Sequence, residues 1–496
     1  MKKEENKYTV LILILITLAN IIMKSFFASA NDLAGDEPYS VYYSQFSISS
    51  IIEILTSGNN PPLYEILLHF WVKLFGISEL AVRIPSVLFS SLTVVFIFII
   101  GQNFFSRRVG IVASLLFTFS NYFMLYAHEA RVYSLFAFLT ASSMCMFLYL
   151  INGNENKKVL VGYIISNVFL LYAHYFGFFV IAIQICFSFI LFFQNKKVFK
   201  KLLLIQLIVF VFYLPLFPIL IERFLISSHE GTWLSPPNGL FGVLDMLRNF
   251  NNEAYGHATV FGSKPLVTLF YIGVVFIATI KMIISRGFKI NAIDNNYLYI
   301  ICSFILPFAF MFLISFKIPM FLDRYMIFTV IAYIVSLAIC IDYIFSTTVY
   351  SIAFSIVCLL GMVLTFTPNI DNKRQVKETI NKIVELKDSN TAVLICPDYF
   401  VLSFIYYYNQ ELFKIVDSTE GTSKIAQMLN HDHVFMVRNR SELPKIDQDK
   451  IIYLDAAADF AYPNNEVYST LEQNYILQNK HSFYEIFNVN EFSRKK

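Results

Sequence analysis

Charge is scarce in this chain. Only 15% of its 496 residues are Asp, Glu, Lys or Arg, against about 25% in an ordinary soluble protein. With 57% hydrophobic residues, 53 phenylalanines and a positive mean hydropathy, that deficit excludes a soluble enzyme and predicts a polytopic α-helical membrane protein. The net charge of +3 says little by itself, and no nucleic-acid partner is expected. Cysteine is equally uninformative: five of the six lie in apolar runs and none forms a CxxC pair, so neither a disulfide framework nor a zinc site is supported. There is no Gly-rich phosphate loop and no internal repeat. The missing repeat weighs against an inverted-repeat transporter.

What the chain does have is apolar runs of about twenty residues, enough to cross a hydrocarbon core of about 30 Å. They fall at 8–28, 82–102, 109–126, 132–151, 158–174, 176–194, 203–222, 266–285, 297–316, 325–345 and 349–367. Short loops rich in Lys and Arg stay cytoplasmic. Lys2, Lys3 and Lys7 therefore put the N-terminus inside, and Arg107-Arg108, Lys157-Lys158, Lys196 to Lys201, and Arg286 with Lys289 all fall where strict alternation requires. The expectation is about eleven spans with the C-terminus outside. Merging the tight pair around His174-Tyr175 into one re-entrant element would invert the rest, and the lysine-rich loop at 196–201 argues against it. Ala28-Ser29-Ala30 resembles a signal-peptide cleavage site, but the long apolar core and the spans that follow favour an uncleaved anchor.

The spans divide the chain into a membrane domain, 1–367, and an extracytoplasmic tail, 368–496. The external segment 29–81 reads as two short interfacial helices separated by Ser57 to Pro62. A second external segment, about 223–265, holds Trp233, Pro236-Pro237 and an amphipathic stretch, Leu240 to Phe250. In the tail, helix-like Lys373–Leu386 and Tyr399–Tyr408 alternate with Thr391–Cys396, Leu412–Val416, Ser423–Leu429, His433–Val437 and Ile451–Leu454. That pattern predicts a small α/β domain with a partly parallel sheet, to which no catalytic role is given.

Ionisable residues at the ends of spans are costly unless they line a wet cavity. Here acids and arginines gather on the external side. Asp36-Glu37 follows the first span, Arg83 opens the second, Glu129 and Arg131 occupy a tight turn, and His174-Tyr175 and Asp323-Arg324-Tyr325 sit at further ends. Each has a bland alternative: a solvated helix cap, a snorkelling headgroup anchor, a local ion pair, an interfacial histidine. As a set they point to an embedded active site. A carboxylate facing a hydroxyl acceptor can take its proton, and a guanidinium can grip a phosphate through two hydrogen bonds.

Asn60-Pro61-Pro62-Leu63-Tyr64 resembles the His/Gln-Pro-Pro-Leu-Tyr motif of the dolichyl-phosphate-mannose protein mannosyltransferase superfamily, in a bacterial branch related to the lipid A aminoarabinose transferase. Glu79 to Ser86, Arg107-Arg108-Val109-Gly110 and Glu129-Ala130-Arg131-Val132-Tyr133 resemble further motifs of that family in the same order. Asp36-Glu37 stands where the superfamily carries its external Asp-Glu, and Asp323-Arg324-Tyr325 resembles a late Arg-Tyr motif. Asn60 and Val132 depart from the usual His or Gln and Pro.

The resemblance implies the GT-C architecture and a glycosyltransferase using a polyprenyl-phosphate sugar, with its active site away from the cytoplasm of a bacterial inner membrane. Asp36 would then be the general base, with Glu37 positioning it or the acceptor. Arg83, Arg131 and Arg324 would neutralise the donor phosphate, and Glu129 would orient Arg131 or bind sugar hydroxyls. Tyr133, His174 and Tyr175 would line the sugar pocket, with Asn60 and Tyr64 as further substrate-binding positions. Some relatives use a divalent metal, but no adequate ligand cluster is evident, so no cofactor is expected. The acceptor is open between lipid A, a polysaccharide and a protein. A lipid-linked-sugar flippase and a polysaccharide polymerase or ligase remain as alternatives.

Overall fold

The computed structural model describes residues 2–58, 60–230, 234–253, 265–286, 294–370, 374–414, 421–484 and 487–495. Trp233, Lys289, Lys373 and the end of the expected 412–416 segment lie outside these. Two compact units are present. The first comprises Met1–Ala28, Ile52–Tyr64 and Arg83–Ile370, the second Ser29–Ile51, Glu65–Val82 and Asp371–Lys496.

The first unit is a multi-pass membrane body. Among the described residues, six helices within Lys2–Phe26, Glu79–Phe104, Tyr133–Ile151, Leu266–Arg286, Asn295–Ile314 and Ile327–Ile344 are long and apolar enough to cross a bilayer, and up to eight spans result if each of two bent pairs is counted as one. The remaining expected spans are the shorter helices Lys157–Ala173, Gly177–Phe192 and Thr348–Leu364.

The bends have identifiable causes. Arg107–Thr118 meets Asn121–Ala127 at 59°. Breaking a helix frees backbone groups that a neighbour must satisfy inside a bilayer. Asn252 does so from a distant segment: its Nδ2 donates to the Phe119 carbonyl at 2.7 Å and its Oδ1 accepts the Asn121 N–H at 2.7 Å. Asn121 in turn donates to the Thr365 carbonyl and accepts from Thr367 N–H. The second pair, Lys196–Tyr213 with Phe217–Ile226, bends by 77° across Pro215, which has no N–H to continue the ladder.

Small and polar residues close the packing. A β-carbon on Gly110 would come within 2.8 Å of the Phe98 carbonyl, so helices Glu79–Phe104 and Arg107–Thr118 cross backbone to backbone. At the Arg107 end, Asp342 accepts from Arg108 Nε at 2.6 Å, Ser106 Oγ at 2.9 Å and Ser351 Oγ at 3.1 Å. Midway, buried Gln184 donates to Ser143 and Tyr299 and accepts from Tyr163, joining four helices through neutral groups.

The second unit contains a five-stranded sheet: β1 Thr391–Cys396, β2 Val434–Met436, β3 Lys450–Ala456, β4 Tyr475–Tyr484 and β5 Phe487–Arg494, in the order β2-β1-β3-β5-β4. β1 is buried along its whole length and pairs in parallel with both β2 and β3. The β4–β5 ribbon adds antiparallel strands that the sequence did not announce, because Gln478, Asn479, Lys480 and His481 interrupt any apolar alternation. Where a 412–416 segment was expected, helix Gln410–Phe413 ends its described part. The segment expected to hold two interfacial helices holds three: Glu37–Ser44, Ile48–Ser57 and Leu63–Phe75.

Candidate active site

Of the expected site residues, Asp36 and Glu37 belong to the second unit and the others to the first. In the first unit the turn His128–Val132, between helices Asn121–Ala127 and Tyr133–Ile151, is fastened from several sides. His128 Nε2 lies 2.8 Å from the Lys24 carbonyl. Ser86 Oγ donates to the Glu129 carbonyl at 2.7 Å and lies 3.3 Å from the Tyr64 hydroxyl. The Pro-Pro-Leu-Tyr motif thus touches the same serine that holds the Glu-Ala-Arg turn. Asn60, at the start of that motif, is half-buried. Arg83, three residues before Ser86 on the same helix, is buried and donates Nη1 to the Ala28 carbonyl at 2.9 Å.

Tyrosines and a histidine line the far side of this turn. Tyr126 and Tyr133 rings are 5.1 Å apart, and His174 stacks on Phe136 at 4.6 Å. Phe176 and Tyr325 meet His174 at 5.3 and 6.2 Å. The Tyr122 hydroxyl donates to the Asp323 carbonyl, and the Tyr126 hydroxyl bonds the Asp323 carboxylate. Burial pushes that carboxyl's pKa up, opposed by the backbone N–H and charge of Arg324 and by Tyr126. The positive charges of Arg131 and Arg324 both act on His174. Arg131, Tyr133, His174 and Arg324 are therefore brought together. Tyr175, the next residue along, feels the charges of Arg223 and Glu222.

Two guanidinium groups beside buried aromatic walls attract an anion strongly, because little water is there to screen them.

In the second unit, Asp36 occupies the N-cap position of helix Glu37–Ser44, yet its side chain makes no capping hydrogen bond. It is exposed, whereas Glu37 is buried with Oε2 3.4 Å from the Ala34 N–H. A simple helix cap does not describe this pair.

Residues 59–234 match the dolichyl-phosphate-mannose-protein mannosyltransferase family. Among solved structures, the fold is similar to ArnT from Cupriavidus metallidurans bound to undecaprenyl phosphate, with TM-score 0.57 and 11% identity over 98% of each chain. It is also similar to the oligosaccharyltransferase AglB from Archaeoglobus fulgidus in complex with an inhibitory peptide and a dolichol-phosphate. There the TM-score is 0.54 and the identity 10%, over 99% of this chain and 75% of that one. This chain has the GT-C fold. No curated protein sequence matches it.

Within this GT-C protein the structure adds residues that sequence reasoning passed over. Lys24, inside the first apolar run, is fully buried, donates to Ser90 Oγ at 2.6 Å and lies 4.6 Å from the Phe117 ring centroid. A lysine within a span was itself the available signal. Tyr122 and Tyr126 gave none, because two tyrosines in an apolar run look like core. Among the described residues, no three His, Cys, Asp or Glu side chains gather as a metal site requires.

Proposed function

We propose that this protein is a membrane glycosyltransferase that moves a sugar from a polyprenyl monophosphate carrier to a hydroxyl acceptor on the extracytoplasmic face of a bacterial inner membrane. The observation that carries the reading is that Arg131 and Arg324 both lie within electrostatic reach of His174, whose ring neighbours those of Tyr133 and Tyr325. The family match over 59–234 and the lipid phosphates bound in two structural neighbours support the same donor class.

The reaction is read as an inverting transfer. The acceptor oxygen attacks the anomeric carbon and forms the new glycosidic bond. The bond from that carbon to the phosphate oxygen breaks, its electron pair leaving with the polyprenyl phosphate. Asp36 takes the acceptor's proton, and Glu37 positions Asp36 or the acceptor. Arg131 and Arg324, with Arg83, oppose the negative charge that grows on the leaving phosphate. Glu129 orients Arg131 or binds sugar hydroxyls, while Tyr133, His174 and Tyr175 line the sugar pocket with Asn60 and Tyr64 nearby in the motif order. The positively charged loops at Lys157-Lys158 and Lys196–Lys201 support an N-terminus in the cytoplasm.

The test is transfer in proteoliposomes, with radiolabelled sugar on polyprenyl monophosphate and wild type beside Asp36→Asn. The expected result is label on an acceptor with release of carrier phosphate, both lost in the variant. Label that crosses the bilayer still attached to its carrier would establish a flippase instead, and use of pyrophosphate-linked repeats a polymerase.

A further inference from the structure

The acid turn is built on the C-terminal region. Asp32 Oδ2 accepts the Lys377 N–H at 2.8 Å, at the start of helix Val376–Leu386. The Leu33 N–H donates to the Tyr407 hydroxyl at 2.7 Å, and that hydroxyl in turn donates to Glu79 Oε1 at 2.7 Å. The donor and acceptor roles are thus used consistently along the relay. Gly35 has φ +61°, a left-handed conformation, and the Arg374 guanidinium fills the space a β-carbon there would need. Tyr399 lies close enough to feel the charge of Asp36. Four residues of the tail therefore reach a six-residue turn, Asp32–Glu37, that is more than 300 positions away in sequence.

Lys377 contributes a backbone group and Tyr399 an exposed ring, so neither fixes the turn through a specific side-chain bond. Tyr407 does so through its hydroxyl, and Arg374 packs its guanidinium against Gly35. Burial, with Glu79 beside it, pushes the Tyr407 hydroxyl's pKa up and keeps it a donor. Arg374 covers the one residue whose backbone must be left-handed for Asp36 to open the next helix in its uncapped, exposed position.

We infer that Arg374 and Tyr407 are positioning residues for the proposed base: the C-terminal α/β region sets the aim of Asp36 toward the acceptor hydroxyl and so belongs to the catalytic machinery. This rests on the reading of Asp36 as base. Misplacing a reacting group by about 1 Å costs about 100-fold in rate. The expected signature is accordingly in turnover and not in donor binding.

The experiment is steady-state transfer by full-length Tyr407→Phe, Arg374→Ala, Arg374→Lys and Asp36→Asn in proteoliposomes, each with its thermal melting measured. Tyr407→Phe and Arg374→Ala should lower kcat by roughly 10- to 100-fold with the donor KM unchanged. Arg374→Lys, or guanidinium ion added to Arg374→Ala, should recover part of the loss. Wild-type kcat in both variants, with Asp36→Asn inactive, overturns this inference and leaves the base in place. A kcat loss that tracks lost folding and is not rescued also overturns it, by reducing both residues to structural supports. Turnover by Asp36→Asn removes the base, and this inference with it.

Discussion

Ser86 donates its hydroxyl to the Glu129 carbonyl at 2.7 Å, and this bond ties the helix that carries Arg83 to the turn that carries Arg131. Both partners come from motifs separated by more than forty residues. In Ser86→Ala the partly buried carbonyl loses that donor, at a cost of about 1 kcal/mol. The variant should melt earlier in detergent. It should also turn over more slowly than its folded fraction accounts for, because Arg131 is no longer held in register.

Arg131 and Arg324 should differ in kind from Ser86. In the proposed mechanism each acts on the charge of the substrate, so alanine at either position should cut kcat/KM by about 100-fold or more, the scale of one electrostatic donor at a reacting oxyanion. Arg324→Lys keeps the charge but loses the planar two-point grip, and should fall between wild type and Arg324→Ala. Equal kcat/KM in all three would remove Arg324 from the phosphate site.

The Asn252 amide serves both sides of the helix break at Phe119–Asn121. Asn252→Ala strips partners from a buried carbonyl and a buried N–H, at about 1–3 kcal/mol each. Asn252→Asp retains an acceptor and, while its carboxyl is neutral, an O–H donor, so it should be intermediate when protonated and lose the donor once ionised. Thermal melting of the purified variants checks the order.

Gly110→Val should destabilise the first unit by about 1–3 kcal/mol or more, since the added carbons meet the Phe98 carbonyl and not a movable side chain. Gly153→Ala, whose β-carbon meets nothing within 4 Å, carries only the strain of its positive φ and should cost less. Expression and melting of the two variants give the comparison.

The tail carries a pH signal of its own. Lys450, then Thr391 and the Asn390 N–H, hold the Asp388 carboxyl down to about 2 from an ordinary 3.8. A depressed carboxyl stabilises the fold above its unfolded pKa, and that contribution is lost as pH falls from about 4 through about 2. The pair is fully exposed, so its effect is small. Wild type and Asp388→Asn should therefore differ in melting at neutral pH and converge near pH 2.

Much of the membrane body was legible because a bilayer leaves the backbone few choices. Each apolar run must satisfy its own N–H and C=O groups, so a run of the right length is a helix wherever it lies. The charged turns were legible for the complementary reason: Glu129, Arg131 and Arg324 have no apolar justification. Less visible were β4 and β5, whose polar faces hide their period, and Lys24, whose role depends on Ser90 and Phe117.

The sequence by itself determined that this chain crosses a membrane many times, that a small α/β region follows the spans, and which residues carry charge at span ends. Tertiary structure decided which of those residues meet. It brought Arg131 and Arg324 within electrostatic reach of His174, drew Asn252 to a helix break 131 positions away, and set Tyr407 and Arg374 on the acid turn. Hydrophobic periodicity is a local property of ten or twenty residues. The partner of a freed backbone group or a buried charge is whichever distant side chain the packing delivers, and no local pattern encodes it.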